Sequence, residues 1–160
     1  MVTGECNGGD PPPSGGSGNL PGLNASQDRH AQAIIAQTKK QGLGKQGCKP
    51  AIATGLTESS LRILANNGVP ASLKYPNNGI GSGHDSVGIF QQRAMYYEDI
   101  CCDMDAAYSA SEFFKNMTAI CGWKTMDAAT LCQKVQRSAV PTAYRKYTAQ
   151  AAKICAAGGF

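Results

Sequence analysis

Apolar residues recur every three or four positions through most of the chain after residue 25. That spacing puts them on one face of a helix, so it predicts a series of amphipathic helices. The first is capped at Ser26 and ended by Gly42. The others are predicted to begin after residue 48, near Ser86, at Asp105, at Asp127 and at Pro141.

Two of these helices frame the part of the chain that carries candidate chemistry. The second holds Glu58 near its middle and is predicted to stop at Asn66-Asn67-Gly68, where helix-ending residues cluster. The third places Val87, Phe90, Ala94 and Tyr97 on one apolar stripe, and Tyr97 is expected in the core.

Between these helices, residues 69–85 lose the helical spacing. Pro70, Pro76 and the run Asn77-Asn78-Gly79 favour turns, which predicts a small hairpin or an irregular β region. Five to six helices beside one small β region make the expected fold class α+β, mainly α.

The first 25 residues have the composition of a linker. They join a stiff Pro11-Pro-Pro13 to flexible glycine and serine and offer almost nothing to bury. We expect residues 1–25 to be a linker that follows an upstream domain, and residues 26–160 to form one folded domain.

Composition narrows the possible partners. Lysine and arginine exceed aspartate and glutamate by 15 to 11, a formal net charge of +4. This charge is too small to indicate nucleic acid, but it suits long-range attraction to an anionic polymer such as a bacterial wall. No apolar run approaches the roughly 20 residues that cross a bilayer, so no membrane partner is expected. We expect a monomer without a metal or other cofactor.

Seven cysteines in a chain of 160 residues indicate an oxidising compartment, so the protein is expected to be secreted and extracellular. The alternative of a zinc site is disfavoured because the sequence has no Cys-x-x-Cys pair. Three disulfides are expected among the six cysteines from Cys48 to Cys155, for which fifteen connectivities exist. Cys6 is expected to lie outside that set.

Glu58 is an acid in an otherwise apolar helix, and small residues line its own face one and two turns back. Burial against such a face raises the pKa of a carboxyl, as the general acid of a glycosidase requires. An ordinary solvated glutamate is the alternative from the local pattern alone.

A resemblance to a known superfamily adds to this interpretation. Glu58-Ser59, followed by Gly88-Ile89-Phe90-Gln91, resembles the Glu-Ser … Gly-Leu-Met-Gln signature of goose-type lysozymes and soluble lytic transglycosylases. The longer run, with Asn67-Gly-Val-Pro70 and His84-Asp-Ser-Val-Gly-Ile-Phe-Gln-Gln92, resembles secreted lysozyme-like domains of actinobacteria and fungi. Fungal muramidases with an upstream SH3-like wall-binding domain are especially similar. The resemblance implies a lysozyme-like fold with a small β lobe beside the catalytic helix.

The same resemblance implies roles for individual residues. Glu58 is the expected general acid. Asp85 is expected either to place the attacking water or to cap the helix predicted near Ser86. The residues expected to contact substrate are Ser59, His84, Ser86, Gln91, Gln92 and Tyr96.

The activity implied is that of a muramidase, which hydrolyses the β-1,4 bond between N-acetylmuramic acid and N-acetylglucosamine in peptidoglycan. A lytic transglycosylase is the close alternative; it uses the same acid but closes the muramic 6-hydroxyl onto the anomeric carbon. A non-catalytic wall-binding module with the same fold is the alternative from another class.

Overall fold

The computed structural model describes Cys6 and residues 20–160, which form mainly helical structure with two very small sheets. This confirms the α+β, mainly α, class at the level of secondary structure. The helices are α1 (Ala25–Lys40), α2 (Gly44–Ser59), α3 (Ile100–Asp103), α4 (Ala106–Thr118), α5 (Ala128–Gln136) and α6 (Thr148–Ala157). The strands are β1 (Ala65–Asn66), β2 (Ile80–Gly81), β3 (Ser86–Val87) and β4 (Gln92–Arg93), and three 3₁₀ turns cover Pro70–Lys74, Trp123–Thr125 and Ala143–Tyr147.

The centre of the fold is α2, which packs against α1, α5, α6 and the Ala143–Tyr147 turn. Its side chains Ala51, Ile52 and Ala53 are fully buried. Small residues on several sides allow neighbouring helices to approach α2 closely, so this helix positions most of the others.

The end of α2 differs from the sequence prediction. The helix stops at Ser59, seven residues before Asn66, because Ser60 and Leu61 both adopt left-handed backbone with φ of 56° and 57°. The Leu61 amide then donates to the Gly55 carbonyl (3.0 Å), and the Leu61 side chain turns into the core. The prediction of a helix continuing to Asn66–Gly68 was therefore wrong, and Glu58 lies in the last turn of α2.

The segment predicted to be a helix from Ser86 is instead a short antiparallel hairpin. Ser86 pairs with Arg93 and Val87 pairs with Gln92. Gly88 and Gln91 sit in left-handed conformations (φ of 80° and 50°), which an α-helix does not contain. The apolar residues of the predicted stripe still face inward at Val87 and Phe90, so their burial agrees with a hairpin as well as with a helix.

The region predicted as a hairpin or irregular β structure, residues 69–85, contains one 3₁₀ turn and strand β2, and its strand partner β1 lies just before it. β1 and β2 pair in parallel, and the buried Asn66 ties this region to the hairpin. Its amide nitrogen donates to the carbonyls of His84 (2.9 Å) and Ser86 (3.0 Å), and its amide oxygen accepts from the Gly68 N–H (2.8 Å). One buried side chain thereby satisfies several backbone groups that the short strands leave unpaired.

Helices α4 and α5 follow the predicted boundaries closely. Asp105 and Asp127 cap α4 and α5 through their side chains. The last predicted helix divides into the Ala143–Tyr147 turn and α6, and it buries Tyr144, Ala151 and Ile154. Among the described residues, no helix has both the length and the apolar character needed to span a membrane.

The disulfide pattern corrects the sequence prediction. Cys48 pairs with Cys155, which joins the start of α2 to the end of α6. Cys6 pairs with Cys102 instead of lying outside the bridged set. Two bridges therefore form where three were expected, and Cys132 is buried as a thiol.

Residues at the end of the predicted linker contact the helical body. Leu20 is buried, and its N–H donates to Asp28 (2.6 Å). Asn24, and not the predicted Ser26, caps α1 through a reciprocal pair of hydrogen bonds with Gln27. The other residues expected in the linker, 1–5 and 7–19, lie outside the described part of the chain.

Candidate functional site

Glu58 lies in the last turn of α2, half buried beside Tyr144. The Tyr144 hydroxyl donates a hydrogen bond to Glu58 Oε1 over 3.2 Å. Gly55, one turn back on the same face, has no room for a side chain, since an added Cβ would lie 2.7 Å from Leu61 and 3.0 Å from Ile89. The face of α2 one turn before Glu58 is therefore closely packed against apolar side chains.

This environment raises the pKa of Glu58 above its ordinary value. Burial is the largest cause, because a partly desolvated carboxyl is less stable in its charged form. Hydrogen bonds from Tyr144 and Gln136 oppose the shift by stabilising the carboxylate. The carbonyl-rich C-terminal end of α2 also disfavours a negative charge at this position.

A large groove runs along one side of the molecule, with a volume of about 1020 Å³. Three segments line it: the hairpin and the residues after it (91–93 and 96–99), the outer face of α4 with the residues that follow, and residues 134–137 at the end of α5. Gln136 connects this groove to Glu58. It lines the groove, its amide lies close enough to Glu58 to favour the carboxylate, and its Nε2 donates to the Phe90 carbonyl over 2.7 Å.

Three of the residues predicted to contact substrate line the groove: two belong to the hairpin and the third, Tyr96, follows it. Gln91 sits in left-handed backbone, and its Nε2 donates to the Gly88 carbonyl (2.9 Å). Gln92 is 3 % exposed, and its Nε2 donates to the Ser109 carbonyl on α4 (3.1 Å). Tyr96 is 70 % exposed, so its ring is free to contact a ligand in the groove.

Asp85 does not cap a helix, because no helix begins at Ser86; that alternative was wrong. Its carboxylate instead bridges the two sides of the hairpin. One oxygen pairs with the Arg93 guanidinium, and the other accepts from the Met95 N–H (2.9 Å). The Arg93 hydrogen bond is the main reason that the pKa of Asp85 is lowered, so this carboxyl is ionised at neutral pH.

The other predicted site residues lie at the hairpin and at the end of α2. Ser59 is 3 % exposed, and its hydroxyl donates to the Ile89 carbonyl (2.7 Å), which fastens the hairpin to α2. His84 is exposed in a left-handed conformation, and Ser86 is half buried in β3. Their contacts with substrate stay predictions.

A second pair of acids, which the sequence did not single out, lies at the α4 side of the groove. Asp103 is fully buried at the end of α3 and faces Glu112, which lines the groove. Neither oxygen of Asp103, nor Oε1 of Glu112, accepts a hydrogen bond from a donor elsewhere in the described chain. Ionising both of two neighbouring, desolvated carboxyls is unfavourable, so one of them keeps its proton to higher pH. Burial and the neighbouring Glu112 accordingly raise the pKa of Asp103 to about 10.

Two further residues at the site, Tyr144 and Gln136, were missed as functional candidates because they are distant in sequence from Glu58. Tyr144 lies 86 positions away, and its only sequence signal is the apolar stripe of the last predicted helix. Gln136 closes α5 and carries no local pattern that distinguishes it from other surface amides. Only the packing of α5 and the Ala143–Tyr147 turn on α2 brings them to the acid.

The buried Cys132 is not an activated nucleophile, and the bridged Cys6 and Cys102 do not form a thiolate metal site. Burial raises the pKa of Cys132 to about 12, which keeps it as an inert thiol. Potential metal ligands lie close together at Cys6, Asp99 and Cys102, but the two cysteine sulfurs are joined in a disulfide.

No protein-family model matches the chain, and no curated protein matches it.

Proposed function

We propose that the chain is a secreted muramidase with a lysozyme-like fold, which hydrolyses the β-1,4 bond between N-acetylmuramic acid and N-acetylglucosamine in peptidoglycan. The observation that carries the proposal is the setting of Glu58: a half-buried carboxyl with a raised pKa, held by Tyr144 and joined to a long groove through Gln136. A general acid of a glycosidase needs such a setting, because it must still hold its proton at the working pH.

In the proposed mechanism, protonated Glu58 transfers its proton to the glycosidic oxygen as the bond from that oxygen to the anomeric carbon breaks. Water adds to the anomeric carbon and releases its own proton, which restores the acid in the following steps. The Tyr144 hydroxyl and the Gln136 amide stabilise the carboxylate left on Glu58 after proton transfer. Their hydrogen bonds stabilise the charged form, which lowers the cost of giving up the proton.

One observation favours lytic transglycosylase activity as a second candidate. A glycosidase that uses water as the nucleophile needs a second group to place or activate that water. Both carboxylate oxygens of Asp85, the residue predicted for this role, are already engaged by the Arg93 guanidinium and the Met95 N–H. A transglycosylase needs only one acid, because the muramic 6-hydroxyl replaces water.

The first experiment is digestion of purified peptidoglycan by wild type and by Glu58→Gln, with the products identified by mass spectrometry. We expect Glu58→Gln to lose at least about 10²-fold in turnover, because the amide keeps size and hydrogen bonding but has no proton to deliver. Reducing muramic ends identify hydrolysis, and anhydro-muramic ends identify the transglycosylase. Near-normal turnover in a correctly folded Glu58→Gln would rule out both, and wall binding without any cleavage by wild type would indicate a binding module.

Asp85→Asn tests the second carboxyl. If Asp85 delivers water, turnover should fall toward that of Glu58→Gln while the fold is retained. If it serves only to hold the hairpin through Arg93, turnover should change little. The asparagine side chain keeps an acceptor for the Met95 N–H, so the comparison with Asp85→Ala separates loss of charge from loss of the hairpin contact.

A further inference from the structure

The wall of the groove nearest to Glu58 carries two basic side chains, Lys134 and Arg137. They lie three positions apart at the end of α5, on either side of Gln136, whose amide lies close to the Glu58 carboxyl. Both side chains line the groove. Lys134 lies in the last turn of α5, and Arg137 follows directly after the helix in a left-handed conformation (φ of 52°).

Neither cation has an acidic partner within the part of the chain that the structure describes. The two ion pairs there join Arg93 to Asp85 and Arg145 to Asp127. Arg93 and Arg145 are therefore already neutralised by protein carboxylates, whereas Lys134 and Arg137 face the groove as uncompensated charges.

The groove also carries the acids Glu98, Asp99 and Glu112 and a third cation, Lys115. Burial is the largest cause that raises the pKa of Glu112, and the Lys115 charge opposes it, so Lys115 has a carboxyl beside it. Tyr97 lies within reach of Arg137: burial is the main cause of its raised pKa, Glu112 adds to the shift, and the Arg137 charge opposes it.

We propose that Lys134 and Arg137 form a carboxylate-binding subsite beside the catalytic acid, which selects glycan strands that carry carboxylates over neutral ones. The proposal takes its substrate class from the proposed function. Muramic residues carry a lactyl carboxyl, which is either free or extended by a stem peptide with carboxylates of its own; chitin has neither. Arginine binds carboxylates with two parallel N–H donors, and lysine adds a compact charge nearby.

The test compares a double variant in the groove, Lys134→Gln with Arg137→Gln, with a matched control, Arg29→Gln with Lys153→Gln. All four side chains are exposed, and both double variants remove one lysine and one arginine, so net charge falls equally. The control therefore measures the effect of long-range attraction alone.

Each protein is assayed on three substrates: glycan strands with stem peptides, strands stripped by an amidase to the free lactyl carboxyl, and chitin oligosaccharides. We expect the groove variant to lose about 10-fold or more in kcat/KM, mainly through KM, on the carboxylate-bearing strands, as expected for loss of charge-assisted hydrogen bonds. The control should change far less, and activity on chitin should not respond to either variant. If kcat/KM falls only on strands with stem peptides, the subsite binds carboxylates of the peptide. If kcat/KM falls on both kinds of strand, the subsite binds the lactyl carboxylate.

Affinity for the same ligands is measured by calorimetry in the Glu58→Gln background, so that cleavage does not interfere. If the groove variant binds carboxylate-bearing strands more weakly and chitin unchanged, the result supports the subsite. This holds even if wild type cleaves nothing, because absence of cleavage contradicts only the proposed function. Equal weakening in both double variants, or no weakening in either, overturns the subsite whether or not the enzyme is active.

Discussion

The buried acid Asp103 should reduce the stability of this protein at neutral pH, and replacing it with asparagine should relieve that cost. In the folded state Asp103 keeps its proton up to a pKa of about 10, whereas an unfolded aspartate releases it near pH 3.9. Between these two values the folded state binds one more proton than the unfolded state. Stability contributed by this group therefore falls as pH rises through the window, and it is unaffected below the unfolded pKa.

The expected gain follows from the same window. Each pH unit is worth about 1.4 kcal/mol, so the roughly three units between the unfolded pKa and pH 7 set a ceiling of about 4 kcal/mol. The substituted asparagine would not titrate, and its amide would donate a hydrogen bond to Glu112, in place of the proton that Asp103 retains. Because the surroundings relax around a charged group, we expect Asp103→Asn to gain about 1–3 kcal/mol at pH 7, or roughly 3–10 °C in Tm.

The measurement is thermal and urea unfolding of wild type and variant at pH 7 and near pH 4, where the difference should nearly vanish. Asp127→Asn is the matched control. Asp127 is an exposed helix cap whose pKa is lowered by Arg145, so replacing Asp127 should not increase stability at pH 7. Glu112→Gln should also stabilise, and the double variant should gain less than the sum, since both changes relieve one interaction. A loss of stability in Asp103→Asn at pH 7, or an equal gain at both pH values, would refute the reasoning that Asp103 keeps its proton.

Two further substitutions test the site and its supporting contacts. Tyr144→Phe removes a hydrogen bond that lowers the pKa of Glu58, so the alkaline limb of the pH–activity profile should move to higher pH; an unchanged profile would count against contact with the reacting acid. Gly88→Ala should destabilise the fold by about 3 kcal/mol or more in denaturant unfolding, because the new Cβ would lie 2.1 Å from a backbone carbonyl of α3 at a residue with φ of 80°. Gly83→Ala, whose Cβ meets nothing closer than 3.9 Å, is its control and should cost far less.

The sequence predicts α4 and α5 well because their stabilising pattern is local. The Asp caps and apolar spacing of α4 and α5 lie within each segment, and both helices form where that spacing predicts them. Seven cysteines correctly indicated disulfide bonds. Which cysteines pair, Cys48 with Cys155 and Cys6 with Cys102, depends on how the folded chain brings distant residues together, and no local pattern shows this.

The hairpin shows why part of the site was beyond local reasoning. Val87 and Phe90 fit a helical stripe, yet a run this short agrees equally with a hairpin that buries the same side chains. What selects the hairpin are distant contacts, from Asn66 to the preceding loop and from Ser59 to the Ile89 carbonyl. For the same reason Glu58 was identified as an acid in an apolar helix, while its partner Tyr144 was not.

The disulfide between Cys48 and Cys155 has a consequence for survival among proteases. It closes a covalent ring that contains Glu58, the hairpin and every residue that lines the groove. A single cut of the backbone anywhere inside that ring leaves two pieces joined by the bridge and by their buried contacts. Exposed residues such as Ser82, Gly83 and His84 could then be nicked while the acid and the groove walls stay in one molecule. Such a nicked form would separate into fragments only on a reducing gel.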